Sequence, residues 1–371
     1  MESNKIITMV SNNYWTLFKF RSDIINNFIN QGYRVNLIAK KDKFHKEFNS
    51  NKIKKFFIPL SERSLNIISE IRTLYSLYKI YSKNKSDLSF HFTIKPNIYG
   101  SIITKIFGIK TISFITGIGH IFIKSPFLLK KIIIKLYQYS LKNSSEVWFT
   151  NIHDKKIFIE NKIISSQKTR IVPGAGFNFI ESPSNYKNKT EVKFLMVSRL
   201  QKEKGIVEFL QAARYFKKED NISFTLVGDL NQNDPTCISP KDLSDYINDK
   251  SIIYYNYQAN IKPLILESSC LIHPSYREGI STIIIEAAAY KRPIITTRVP
   301  GCIDIISNDS FGILCEAKNT SSLINGIKVF LSKSSEDKIN MTNKLYDFVK
   351  KNFNRKDIIE TYNSALEYIH R

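Results

Sequence analysis

The sequence is short of the residues that punctuate loops and staple small folds. Thirteen glycines and eleven prolines are spread over 371 residues, which excludes collagen-like and low-complexity chains. Four cysteines, at 237, 270, 302 and 315, have neither the close pairing of a zinc site nor the density of a disulfide scaffold, and they read as reduced thiols of an intracellular chain. No apolar run approaches the roughly 20 residues that span a bilayer. MESNKIITMV runs straight into a strand pattern without the charged, apolar and small-residue blocks of a secretory signal. The expectation is a cytoplasmic protein, peripheral on the inner face of the cell membrane. A Gly-x-Gly-x-x-Gly fingerprint is missing, which disfavours a dinucleotide. Asp-x-Asp is missing too, which removes the usual carboxylate pair for a metal-held diphosphate, so no metal and no cofactor are expected.

Acidic residues are scarce in one half only. Residues 1–180 carry 29 Lys and Arg against 10 Asp and Glu, a balance of +19, whereas 181–371 carry 26 against 23, a balance of +3. A basic half points to a polyanion or an anionic surface, with nucleic acid and phospholipid as the two candidates. The alternative account is a codon bias toward Lys, Asn and Ile, which could supply some of the excess without any function. The lysines are spread over alternating strands and helices with no compact recognition motif, so nucleic acid is the weaker of the two partners.

What is present is a packable chain. Hydrophobic residues make up 43% and aromatics 12%, and the length suits two domains. Strand and helix patterns alternate from the start. Strands are read at 5–10, 34–39, 55–58, 88–92 and 111–116, with helices at 16–31, 67–82 and 97–107 between them. Ser11, Asn12 and Asn13 read as a polar turn before the first helix. Further strands at 147–150, 170–172, 192–197, 222–226 and 252–255 continue the alternation. Helices follow at 321–331, 338–351 and 355–370. This is an α/β chain of Rossmann-like units, in which ligands meet the loops at the carboxyl ends of the strands.

The most informative stretch is CLIHPSYREGISTIIIEAAAYKRPIITT, 270–297. A buried strand pattern, a short loop, a helix from Thr282 to Lys291 and a second strand follow in order. A helix N-terminus leaves backbone amides unpaired and positive, so the amides of Gly279, Ile280, Ser281 and Thr282 form a site for an anion such as a diphosphate. Glu286 lies two helical turns after Glu278, so both carboxylates can face one ligand. Two acids beside a phosphate suit neutral hydroxyls, a sugar at one and a ribose at the other.

PSYREG, the glutamates eight residues apart and the following RVPGC resemble the signature of retaining, nucleotide-sugar glycosyltransferases of family four. SRLQKEKGIVEFLQAA resembles the family's second signature. The resemblance implies a GT-B fold, with two Rossmann-like domains facing a cleft and a C-terminal helix returning to the first. It implies an acceptor-binding domain over 1–180, a linker at 181–190, a nucleotide-sugar domain over 191–352 and the returning helix over 353–371. Arg199 and Lys204 would clamp the donor diphosphate and Glu278 would steady the sugar, as the catalytic set. Glu286, the 279–282 loop and Gly228 would bind the donor.

HFTIKPNIYGSIITKIFGIKTISFITGIGHIF resembles the portion found in enzymes acting on undecaprenyl-diphosphate-linked saccharides in capsule and O-antigen assembly. Asn12, Asn13, Thr116, Gly117 and His120 are its candidate residues in the first domain. The implied donor is UDP-linked, and the implied acceptor is a polyprenyl-diphosphate-linked saccharide. The segment Ile121 to Asn143 has five lysines and no acid. It reads either as an interfacial anchor on an anionic membrane or as a core helix with solvated lysines. A soluble acceptor, a GT-B epimerase or phosphorylase, and a nucleic-acid-binding protein are the rival readings.

Overall fold

The run IITMV is largely apolar on both sides of the pleat, the composition of a strand buried by helices on two faces. The computed structural model describes residues 5–61, 66–118, 126–179, 183, 186–187, 190–231 and 234–370. The chain divides into two units, 1–175 with 356–371 and 176–355.

The first unit alternates β1 (Ile6–Asn13), α1 (Tyr14–Asn30), β2 (Arg34–Lys40), β3 (Ile53–Phe57), α2 (Ile67–Lys83) and β4 (Leu88–Phe92). It continues with α3 (Ser101–Ile106), β5 (Lys110–Ile115), α4 (Phe127–Leu141), β6 (Glu146–Phe149), α5 (Ile152–Glu160) and β7 (Thr169–Ile171). Every strand pair is parallel, in the order β3-β2-β1-β4-β5-β6-β7.

The second unit holds β8 (Val192–Val197), α6 (Ile206–Tyr215), β9 (Ile222–Val227), α7 (Pro240–Asn248), β10 (Ile253–Tyr255) and α8 (Lys262–Glu267). Then come β11 (Cys270–His273), α9 (Thr282–Ala289), β12 (Ile294–Thr297), β13 (Ile313–Cys315), α10 (Thr320–Ser332) and α11 (Ser335–Asn352). Its parallel sheet runs β10-β9-β8-β11-β12-β13. In each sheet the strand order reverses once, between β1 and β4 and between β8 and β11, and the crevice outside the strand ends at such a switch point is where doubly wound sheets bind ligands.

Two last helices, α12 (Arg355–Ser364) and α13 (Glu367–His370), complete the core of the first unit. Tyr362 packs its ring 4.9 Å from Trp148 and 5.2 Å from Phe90. On β4, Leu88, Phe90 and Phe92 join that core, so by alternation Ser89 and His91 face the other side of the sheet. There the Ser89 hydroxyl lies 2.7 Å from the Tyr81 hydroxyl of α2 and 2.9 Å from His91 Nε2, while Nδ1 meets the Ser101 hydroxyl of α3 at 3.1 Å. Burial holds this imidazole neutral, its pKa pushed down to about 3. With both nitrogens partnered, His91 is a structural residue that ties α2 and α3 to one face of the sheet.

The elements depart from the sequence reading in several places. Ser11, Asn12 and Asn13 are the end of β1 rather than a turn, and α1 begins at Tyr14, because Asn13 stays extended and its side chain caps the Thr16 amide at 2.9 Å. The expected helix over 97–107 opens with a π-helical turn at Pro96–Gly100, following Thr93 at φ 73°. The helix after Ser281 ends at Ala289 instead of Lys291, whose left-handed φ of 53° cannot continue it. The final helix is two helices, α12 and α13. Within the 181–190 stretch, Tyr186 is buried with the Arg292 guanidinium over its ring at 5.7 Å, so this part of the expected linker is packed onto the second unit.

Candidate active site

β11 is buried over its whole length and ends at His273, after which Pro274 to Ser281 leave the sheet at its carboxyl edge. This loop is pinned from two sides. From the 202–204 turn, the Glu203 carbonyl accepts the Tyr276 amide at 2.9 Å. From the 300–301 turn, the Pro300 carbonyl accepts the Glu278 amide at 3.1 Å and the Gly301 carbonyl accepts the Ser281 amide at 3.2 Å. The β12 hydroxyls of Thr296 and Thr297 donate to the carbonyls of His273 and Ser275. Tyr276 donates its hydroxyl to Glu208 Oε1 of α6 at 2.6 Å.

Two glycines make these approaches. Gly205, at φ 77°, would place a Cβ 2.1 Å from the Pro274 carbonyl oxygen. Gly301, at φ 81°, would place one 2.5 Å from the Glu278 carbonyl oxygen. An L side chain at either position meets backbone, which cannot swing away.

The loop holds Glu278 against Lys204, with Nζ 2.6 Å from Oε1 and 2.8 Å from Oε2. His273 Nε2 lies 3.0 Å from the same Oε1. Burial alone would raise the Glu278 carboxyl, but the Lys204 charge and the His273 hydrogen bond outweigh it and hold the group well below the ordinary carboxylate range. Glu278 is therefore a carboxylate at neutral pH. Its charge, after burial itself, helps push the neighbouring Cys302 thiol up to about 12.

Beside this pair starts α9. Ser281 is its N-cap, yet no side chain caps the first turn, and the Ser281 hydroxyl is buried with no hydrogen-bond partner among the described residues. The Ser281 amide, one of the four read as an anion site over 279–282, is already spent on the Gly301 carbonyl, whereas the first amides of a helix have no partner within it. Thr282 is the first helical residue, and Glu286, half-buried, lies one turn further along α9.

Of the other sequence candidates, Arg199 is exposed just beyond the end of β8. Gly228 directly follows β9 and donates its amide to the Tyr255 carbonyl at 3.0 Å. In the first unit, Asn12 accepts the Thr93 hydroxyl at 2.7 Å, and Asn13 is occupied in capping α1. Thr116 and Gly117 follow β5, whereas His120 lies outside the described residues. The sequence reading missed His273. Its signal was position, a histidine closing a buried strand five residues before the candidate carboxylate.

Among the described residues no group of three or more His, Cys, Asp and Glu is placed to hold a metal ion. No helix there is long and apolar enough to cross a membrane.

Two doubly wound parallel units, with an acid and lysine pair beside a helix N-terminus at one switch point, define a GT-B glycosyltransferase. The comparisons make the class specific. Residues 178–351 match the family described as Glycosyl transferases group 1, and residues 5–151 match Glycosyl transferase 4-like. The chain belongs to the group 1, family four, glycosyltransferases.

One relative, an N,N'-diacetylbacillosaminyl-diphospho-undecaprenol alpha-1,3-N-acetylgalactosaminyltransferase of Campylobacter jejuni, is 25% identical over 333 residues, 85% of this chain and 86% of that one. A UDP-Gal:alpha-D-GlcNAc-diphosphoundecaprenol alpha-1,3-galactosyltransferase of Escherichia coli is 25% identical over 332 residues, 84% and 82% of the two chains. In fold, the chain is similar to sucrose-phosphate synthase from Thermosynechococcus elongatus, with TM-score 0.82 at 14% identity over 99% of both chains. It is also similar to Anabaena HepE in complex with UDP and glucose, with TM-score 0.75 at 15% identity over 98% and 100%.

Proposed function

We propose that this glycosyltransferase moves a hexose or N-acetylhexosamine from a UDP-linked donor, with retention of configuration, to a polyprenyl-diphosphate-linked saccharide of a surface polysaccharide. The observation that carries the reading is the Lys204 and Glu278 pair beside the uncapped start of α9 and the unpartnered Ser281 hydroxyl.

Cleaving the bond between sugar and diphosphate builds negative charge on the departing phosphate. Catalysis then rests on donors already aimed there. An ammonium has three protons; Lys204 gives two to Glu278 and keeps one for a phosphate oxygen. The first amides of α9, the Ser281 hydroxyl and the Arg199 fork supply the rest. Glu278, held ionised, takes hydrogen bonds from sugar hydroxyls and steadies the positive charge that develops on the ring. Glu286 accepts the ribose hydroxyls. The acceptor belongs to the basic first unit, where Asn12, Thr116, Gly117 and His120 are its contacts, and Ile121 to Asn143 meet an anionic membrane surface. Support for the acceptor comes from the two undecaprenol-linked relatives and from the charge imbalance between the halves.

The test is a panel of UDP-, GDP- and dTDP-sugars read by melting temperature, followed by transfer to a polyprenyl-diphosphate-linked saccharide or to the same saccharide without lipid, in EDTA. A UDP-sugar raises the melting temperature, the lipid-linked acceptor is glycosylated with retained anomeric configuration, and chelation leaves the rate unchanged. Transfer only to the lipid-free saccharide refutes the acceptor, and loss of rate in EDTA restored by Mg or Mn refutes the metal-free chemistry.

A further inference from the structure

Of the 21 large apolar residues that stand exposed among the described residues, 11 lie on α2, α3 and α4. These helices are neighbours, with α3 touching both α2 and α4. On α2 the exposed residues Ile68, Ile71, Tyr75 and Tyr78 fall at spacings of three and four, one continuous stripe. Thr73, Leu77 and Tyr81 are buried and face the sheet. This helix is thus apolar on two opposite sides, one of which the fold does not cover. On α4, Leu128, Ile132 and Leu136 make a second exposed stripe beside the buried Ile133 and Tyr137.

Charge says what covers them. The three helices carry Arg72, Lys79, Lys83, Lys105, Lys130, Lys131 and Lys135 against a single acid, Glu70. That acid is already neutralised by Lys95 at 2.6 Å. Apolar stripes fringed by one sign of charge fit an anionic lipid surface, the apolar side chains entering the acyl boundary and the cations meeting headgroups. Lys131 over the Phe127 ring at 4.3 Å and Lys105 over the Tyr139 ring at 4.5 Å show cation and apolar group sharing one surface.

Orientation follows from topology. Each helix follows a strand of a parallel sheet, so α2 and α4 both begin at its carboxyl edge. Their most exposed large apolar residues, Ile67 at 74% and Phe127 at 73%, are at those beginnings. The same edge carries Asn12, Asn13 and Thr116.

We propose that α2 is a second membrane-docking helix, which with α4 forms one two-stripe platform that seats the carboxyl edge of the first sheet on an anionic phospholipid surface. It rests on the reading that α4 meets lipid, and adds to it a helix for which the sequence alone gave no such role.

Flotation with phosphatidylcholine vesicles, with and without about 30 mol% phosphatidylglycerol at low salt, tests this. The wild-type chain floats with the anionic vesicles only. Ile68→Glu/Ile71→Glu on α2 and Leu128→Glu/Ile132→Glu on α4 each cut flotation by about tenfold, with melting curves little changed because all four residues are between 49% and 70% exposed. If the α2 variant floats like wild type while the α4 variant does not, the platform is refuted and the α4 reading stands. If the wild type does not float, both fall. Elution as a dimer that the α2 substitutions break assigns the face to a second copy of the chain and overturns the proposal.

Discussion

At the residue scale the site turns on one largely buried ion pair. Glu278 is held below its ordinary value of 4.5, so it is charged across the neutral range, and the stability it lends is lost only as pH falls through the acid range below that value. Breaking a buried pair by removing one partner strands the other charge, at a cost of about 3 kcal/mol. Stability and chemistry must therefore be separated. Lys204→Ala and Glu278→Ala are each expected to lower turnover by at least roughly a hundredfold. Lys204→Met/Glu278→Gln, which leaves no charge unpaired, is expected to recover most of the melting temperature and none of the turnover. A double variant that melts like wild type and turns over at a near-normal rate would show that the pair only holds the loop. His273 belongs to the same cluster, and nothing in residue type distinguished it; the fold gave it a role by ending β11 beside Glu278.

Among the elements, the decisive one is the short turn that carries Lys204. Lys202–Lys204 form a single 3₁₀ turn closed by Gly205 in the left-handed region, directly against the loop that carries Glu278. An alanine there costs about 1–2 kcal/mol for the backbone conformation alone, and the Pro274 carbonyl must move as well. Gly205→Ala is expected to lower stability by at least about 2 kcal/mol in urea unfolding and to abolish the rise in melting temperature given by the donor sugar. Unchanged donor binding would mean that the two loops adjust independently. The order Arg-x-x-x-x-Lys-Gly was legible in the chain, whereas its meeting with Pro274, some seventy residues on, follows from β8 and β11 being neighbours in the sheet.

For the whole molecule, the chain's last residues are part of its first core. Tyr362, fully buried, packs at a tilt against Phe90 of β4 and edge-to-face against Trp148 of β6. Removing that ring leaves a large cavity, so Tyr362→Ala is expected to cost about 3–5 kcal/mol, read as a fall in the melting transition of the first unit with donor binding to the second unit kept. Equal loss in both transitions would show that the units unfold as one. The chain returns beside its own exit, since the Phe177 amide bonds the Phe353 carbonyl at 2.8 Å and the Arg355 amide bonds the Phe177 carbonyl at 3.0 Å.

The sequence by itself determined the alternation of elements, β4 and β8 to the residue, and the helix starting at Thr282. Strand runs and helix starts are written in neighbouring residues. It also held the glutamate pair and the second signature, because each is a local motif. Only the tertiary structure decided that the Ser281 amide is spent on Gly301, that the Asn13 side chain is a cap, that His273 bonds Glu278 and that α2 keeps an uncovered apolar side. Those facts depend on which distant segment packs against which. A parallel sheet joins residues far apart in the chain, and periodicity within a segment carries no information about its neighbour.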